Sequence, residues 1–240
     1  MSNDLVSVII PSYNRFKYLI NAINSVLNQT YKNIEIIVIN DGSEEEEYYN
    51  YKFDSKVNII HLEENQKKVK GFSSDSIRNI GVKEASGKFI AFLDDDDIWM
   101  EEKIEKQVLA LNNSEYKMSS TEGLFGYGEF KDDESYELYN SKKFYKKIKK
   151  KYKGTKYLKG GKFPEIWDLK FIKIHNCIVL SSVVVEKEIF DIYGGFNGLP
   201  NGVSDYDCWI GLLHLTSSIY IDEPLFYYDG THGGGRNYEK

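Results

Sequence analysis

The chain has 240 residues, of which 41% are hydrophobic, 28% charged and 15% aromatic. That length can bury a proper core and the composition is ordinary for a folded protein, which excludes a disordered or low-complexity chain. Its 31 basic and 37 acidic residues leave a net charge of −6, against a nucleic-acid binder acting through overall charge, and no stretch approaches the ~18 consecutive apolar residues of a membrane span.

The N-terminal MSNDLVSVIIPSYN carries an acidic residue before a brief apolar run and has no cleavage-site pattern, so it does not read as a signal peptide. LVSVII (5–10), IEIIVI (34–39), VNII (57–60) and KFIAFL (88–93) read as strands mostly buried on both faces. Between them, RFKYLINAINSVLNQ stripes Phe16, Leu19, Ile20, Ile23 and Leu27 along one helical face, SDSIRNIGVKEA is a shorter helix, and EEKIEKQVLAL stripes Ile104, Val108 and Leu111. Strands alternating with helices predict an α/β fold with a largely parallel sheet covered by helices. Beyond residue 112, EGLFGYGEF and CIVLSSVVV read as strands, DYDCWIGLLHL as a helix and SSIYIDEPLFYY as a closing strand. No internal repeat is evident. Cys177 and Cys208 have no metal-ligand spacing, so neither a disulfide framework nor a zinc site is expected, and a reducing, cytoplasmic setting for a soluble or peripheral protein fits. High tyrosine, lysine and asparagine fit an AT-rich genome; for a viral source the setting becomes the host cytoplasm or the virion.

Polar clusters follow three of the strands: PSYN (11–14), NDGS (40–43) and four aspartates (94–97). In an open α/β sheet ligands bind at the carboxyl ends of the strands, so the three should meet in one crevice. Alone, NDGS is a turn; in that crevice Asp41 could accept a hydrogen bond from a base N–H while Gly42 lets the ligand approach. Tyr13 serves equally as packing or as a stacking surface. Asp97 could cap a helix starting near Trp99, which leaves Asp94, Asp95 and Asp96 to explain. Adjacent carboxylates ionise together only beside a compensating cation, and hard oxygen ligands select Mg2+ or Mn2+ over zinc. In an extended chain Asp94 and Asp96 would point the same way, making a D-x-D pair for a metal and a nucleoside diphosphate.

The ordered set VSVIIPSYNR, IEIIVINDGS, SIRNIGVKEASGKFIAFLDDDDIW and GGF…SDYDCWIGLL resembles the family 2 glycosyltransferases with the GT-A fold, over Val6 to about Leu213. No motif covers residues 118–171. The resemblance implies a single GT-A domain over residues 1–240, with a nucleotide-sugar-binding half (1–115) and an acceptor-binding half (116–240). It implies inverting transfer from a nucleotide sugar, usually UDP-linked, to a hydroxyl of a glycan, lipid or protein. Carried onto this chain, Pro11, Tyr13 and Asp41 would hold the base, Arg78 would lie near the diphosphate or sugar, Asp94 would meet sugar hydroxyls, Asp95 would fill the variable position and Asp96 would be the main metal ligand. Asp205 matches the general base, with Asp207 as its rival and Ser204 where the family has glutamate. His232 matches a C-terminal histidine that binds metal or diphosphate in some relatives, the glycines after it suggest a flap, and Arg236 could reach a phosphate. His175 could line the acceptor site, but a plain loop histidine accounts for it better.

Residues 142–162 contain no acidic residue, and Phe144, Ile148 and Tyr152 recur every four positions as an apolar stripe on a cationic helix. Contact with an anionic membrane, an anionic acceptor, or a plain solvated lid are the readings this allows. Two rival functions remain at this stage: a metal-dependent phosphohydrolase or nucleotidyltransferase, since D-x-D also ends strands in phosphoryl-transfer sites, and a non-catalytic nucleotide-sugar-binding module.

Overall fold

The computed structural model describes residues 3–70, 74–197 and 204–232. In chain order the elements are β1 (Val6–Ser12), α1 (Phe16–Leu27), β2 (Ile34–Asn40), α2 (Glu47–Asn50), β3 (Val57–His61), α3 (Gln66–Lys70), α4 (Ser74–Glu84), β4 (Phe89–Phe92), β5 (Ile98–Trp99) and α5 (Lys103–Asn112). There follow β6 (Met118–Gly126), β7 (Glu137–Leu138), α6 (Tyr145–Lys151), β8 (Ile166–Trp167), α7 (Leu169–Ile172), β9 (Val184–Glu186), α8 (Lys187–Tyr193), α9 (Ser204–Leu212) and β10 (Ser218–Asp229).

All ten strands belong to one sheet, ordered β3-β2-β1-β4-β9-β6-β10-β5, with β7 on β6 and β8 on β10. The first four positions are parallel, as the alternating pattern predicts. β1 is buried along its whole length because helices cover both faces of the sheet around it, which is why its sequence is nearly continuous in apolar residues. β3, at the sheet edge, is only half-buried, a correction to its reading as a strand covered on both faces. The later half is mixed: β9 runs antiparallel between β4 and β6, and β10 is parallel to β6 with register shifts on either side of Pro224. A proline cannot donate to a ladder, so it sits where the register breaks.

α1 buries Leu19, Ala22, Ile23 and Val26, close to the predicted stripe. α8 ends on Gly194 at φ +99, a left-handed cap that a residue with a side chain would strain. Three boundaries differ from expectation. β6 begins at Met118 and stops at Gly126, earlier than the segment read from sequence. Of the CIVLSSVVV run only Val184 and Val185 are strand, in β9, which ends one residue later at Glu186, and a 3-10 turn over Leu180–Ser182 precedes it. No helix starts near Trp99; Ile98 and Trp99 instead pair with Tyr227 and Phe226.

The lysine-rich segment also departs from the amphipathic-helix reading. A π-helical turn over Tyr139–Lys143 leads into the short α6, and Phe144, Ile148 and Tyr152 are buried in the core. The apolar stripe faces inward, so it offers no surface for a bilayer. Among the described residues no helix is long and apolar enough to cross a membrane.

Candidate active site

In the parallel register Ser12 lies beside Asn40 and Ile9 beside Phe92, so β1, β2 and β4 deliver their polar ends to the same place. They open on a crevice of about 350 Å³. Pro11, Tyr13, Asp41, Arg78, Asp94, Asp95, Asp96 and His232 all line it, so the structure brings together the described residues expected to hold donor or metal. Asp205 is not among the lining residues; it is the second residue of α9 and accepts the Tyr206 N–H at 2.7 Å.

On the β2 side, Asp41 accepts the backbone N–H of Gln66 at 2.9 Å and the Asn65 side chain at 2.8 Å, and burial raises its pKa. Gly42 is at φ +70, and a Cβ there would lie 2.7 Å from the backbone of Glu64. Its close neighbour is therefore the chain itself, where a ligand was expected. Tyr13 accepts a hydrogen bond from Lys68 at 2.8 Å.

The four aspartates form a turn, closed by the Asp97 N–H on the Asp94 carbonyl at 3.1 Å. Strand alternation therefore does not apply to them. Instead the turn gathers one carboxylate oxygen each from Asp94, Asp96 and Asp97 within 4.8 Å of one another. Asp95 turns away, accepting the Ser12 hydroxyl at 2.7 Å and Arg15 at 3.3 Å. Arg15 also reaches Asp96 at 3.0 Å, and Arg78 pairs with Asp94. These two guanidinium groups answer much of the electrostatic problem the run poses. They do not remove it: burial pushes Asp95 up to about 6, and burial together with Asp94 and Asp95 pushes Asp96 up to about 8.

Asp97 caps no helix. It is buried, its Oδ1 accepts the Asp229 N–H at 3.0 Å, and its Oδ2 has no hydrogen-bond partner among the described residues. Burial, then Asp96 and Asp94, raise its pKa. The helix that follows, α5, begins only at Lys103, and the Ile104 N–H in its first turn goes to the Gln29 side chain at 3.0 Å. An orphaned buried carboxylate oxygen beside two more carboxylates is a donor set that fits a hard divalent cation. His232 stands next to it, with Nδ1 3.9 Å from Asp96 Oδ2 and 3.0 Å from Asp229 Oδ2. A hydrogen bond to that carboxylate puts the proton on Nδ1 and leaves a lone pair on Nε2.

Around Asp205, the rival Asp207 is occupied by the Tyr193 hydroxyl at 3.1 Å and Asn197 at 2.8 Å. Burial, then the charges of Tyr228, Asp97 and Asp205, hold the Tyr139 phenol above the ordinary range. Sequence reasoning missed Arg15, Asp97 as a cluster member, and Asp229. Arg15 directly follows PSYN, which is a signal; nothing in sequence marks Asp229 beyond its place three residues before His232. His175 lies in a loop and is buried, and burial lowers its pKa to about 4. Arg236 and the glycines after His232 lie outside the described residues.

The glycosyl transferase family 2 profile matches residues 7–173. The chain belongs to that family. An uncharacterized glycosyltransferase of Rickettsia prowazekii is 34% identical over 229 residues, 95% of this chain and 64% of the relative. The UDP-Glc:α-D-GlcNAc-diphosphoundecaprenol β-1,3-glucosyltransferase of Escherichia coli is 42% identical over 110 residues, 45% of this chain and 41% of that one. The chain thus spans less than two thirds of the length of these curated relatives. Among solved structures, Staphylococcus aureus TarS 1–349 with UDP-GlcNAc superposes at TM-score 0.65 and 18% identity, covering 94% of this chain and 58% of that one. The Pyrobaculum calidifontis mannosyltransferase with GDP-Man and Mn2+ does so at TM-score 0.66 and 14% identity, covering 98% and 59%. The fold is GT-A, and family membership favours sugar transfer over the phosphohydrolase and nucleotidyltransferase readings.

Proposed function

We propose that this glycosyltransferase moves a sugar, with inversion, from a UDP-linked donor to a hydroxyl of a glycan, lipid or protein acceptor, with Mn2+ or Mg2+ at the aspartate turn. The observation that carries this is the meeting of Pro11, Tyr13, Asp41, Arg78, Asp94, Asp95, Asp96 and His232 in one crevice, with an orphaned buried carboxylate oxygen of Asp97 grouped with Asp94 and Asp96. The UDP-GlcNAc of TarS and the GDP-Man and Mn2+ of the mannosyltransferase support a nucleotide-sugar donor and a divalent metal in general. Residues 1–115 then form the donor half and 116–240 the acceptor half.

In this reading Pro11 and Tyr13 flank the base, and the free lone pairs of Asp41 accept its N–H. Asp94 takes ribose or sugar hydroxyls, and Asp96, Asp97 and His232 would hold the cation, which when bound neutralises charge on the departing diphosphate. Arg15 and Arg78 place two further positive charges beside that same leaving group. Asp205 accepts the acceptor proton as the acceptor oxygen forms its bond to the anomeric carbon and the bond to the diphosphate breaks, with the electron pair leaving on the diphosphate. The engagement of Asp207 by Tyr193 and Asn197 favours Asp205 as the base.

The test is a panel of UDP-, GDP- and dTDP-sugars, read by thermal stabilisation and by sugar release, with chelator as control. Asp96→Asn should lose metal-dependent donor binding, while Asp205→Asn should keep it and lose transfer by about 10²–10⁴-fold. Equal donor affinity in wild type and Asp96→Asn would remove the metal assignment.

A further inference from the structure

The charge distribution of the surface is not explained by the donor site. Residues 142–162 hold eleven of the 31 basic residues and none of the 37 acidic ones, on a protein that is otherwise acidic. All eleven lysines are exposed, while Phe144, Ile148, Tyr152 and Leu158 from the same segment are buried. Burial of those four residues fixes the direction in which the lysines point.

The lysines border two adjoining grooves. One, of about 760 Å³, is lined by Lys146, Lys149, Lys150 and Lys153 of the α6 region together with Tyr157, Leu158 and Lys159. The other, of about 550 Å³, shares Tyr157, Leu158 and Lys159 and continues past Lys156 and Lys162 to Phe163. None of Lys146, Lys149, Lys150, Lys153 and Lys159 forms an ion pair with a described residue. The carboxylate at the rim, Asp168, is taken up by the Phe171 N–H and the Tyr157 hydroxyl. Tyr157 and Phe163 rest edge-on against Phe171, so the groove has an aromatic floor braced from below.

We propose that this trough docks an anionic glycan chain, the acceptor on which the enzyme works or a repeat of it. Lysine ammonium groups at intervals along a groove match charged substituents repeated along a polymer, and half-exposed aromatic edges accept the apolar faces of sugar rings. A bilayer fits less well, because the surface is concave and its apolar stripe is turned into the core. The same basic segment reaches toward the donor crevice at its N-terminal end: Lys143 lies over Phe125 at 4.5 Å, and Phe125 stacks on Tyr228, which lines the crevice. The proposal deepens the acceptor side of the glycosyltransferase reading and rests on it for the word acceptor; the docking itself is independent of turnover.

The experiment compares wild type with Lys149→Gln/Lys150→Gln/Lys153→Gln, whose exposed positions leave the core untouched. Probes are oligogalacturonate, dextran sulfate, neutral dextran of similar length, and vesicles of phosphatidylcholine with phosphatidylglycerol. Both anionic glycans should bind wild type at low salt, and the triple variant should bind them at least about tenfold more weakly, with the difference shrinking at ~0.5 M salt. Thermal stabilisation by UDP should be the same in both proteins, and its absence in both would count against the donor reading alone. Unchanged affinity in the variant, equal binding of neutral dextran, or binding to vesicles but to neither anionic glycan would each overturn the proposal.

Discussion

Asp96 shows how a single residue's environment sets its chemistry. Its carboxyl is raised to about 8 by burial and by the neighbouring Asp94 and Asp95, against the favourable pull of Arg15. A metal ligand must be deprotonated, so cation binding in the range below that value releases a proton. Mn2+ affinity of the donor-free protein should therefore rise, by about tenfold per pH unit at most, from about pH 6 to about 8 and level off above it. Titration calorimetry in buffers of different ionisation enthalpy reads the proton directly, and binding with no proton uptake by the buffer would contradict this account of Asp96. The neighbouring Asp97 carries the complementary lesson. A carboxylate before an acidic pair looks like a helix cap in sequence, but the Gln29 side chain, from the loop after α1, accepts an N–H of the first turn of α5, and Asp97 belongs to the cluster.

At the scale of elements, the turn and helix between β7 and β8 depend on anchoring from outside. Buried Glu122 accepts the N–H groups of Asn140 and Ser141, both at 2.9 Å, and the Tyr220 hydroxyl at 3.1 Å, which holds the π-helical turn over Tyr139–Lys143 onto the sheet. α6 has seven residues, too few to persist alone, so its formation rests on Ile148 and its neighbours packing inward. Ile148→Ala should cost about 2–5 kcal/mol in urea denaturation. If the stripe instead faced solvent, the same change would cost almost nothing. Sequence showed the four-residue spacing correctly, yet a stripe has the same period whether it faces a core, a bilayer or a partner. Similarly, CIVLSSVVV has strand composition, but only its last residues find a neighbouring strand, because β9 needs β4 and β6 on either side.

For the molecule as a whole, pH acts on stability through buried groups of opposite sign. Burial lowers His175 to about 4 from an ordinary 6.5, so the unfolded chain binds its proton first as the solution is acidified. Its contribution is complete above pH 6.5 and lost as pH falls toward 4, by up to about 3 kcal/mol. Asp95, raised to about 6, works the other way, and its contribution is lost as pH rises toward that value. Comparing wild type with His175→Asn isolates the first effect: the stability difference between them should change by that amount over the window, and a constant difference would show that His175 is not buried in neutral form.

Much of the architecture was legible in residues alone. β-branched runs alternating with amphipathic segments specify parallel strands under helices, and polar clusters after three of those strands converge because parallel strands end on the same side. The donor and metal residues could be named for that reason, and the motif order carried the family. Tertiary structure decided what depends on partners distant in sequence. It set which aspartates gather in the turn, that Arg15 and Arg78 offset them, that Asp229 orients His232, and that the lysine stripe turns its apolar side inward. Local periodicity records which residues share a face, whereas the identity of what covers that face, and of the charges that settle beside it, is a property of the folded chain.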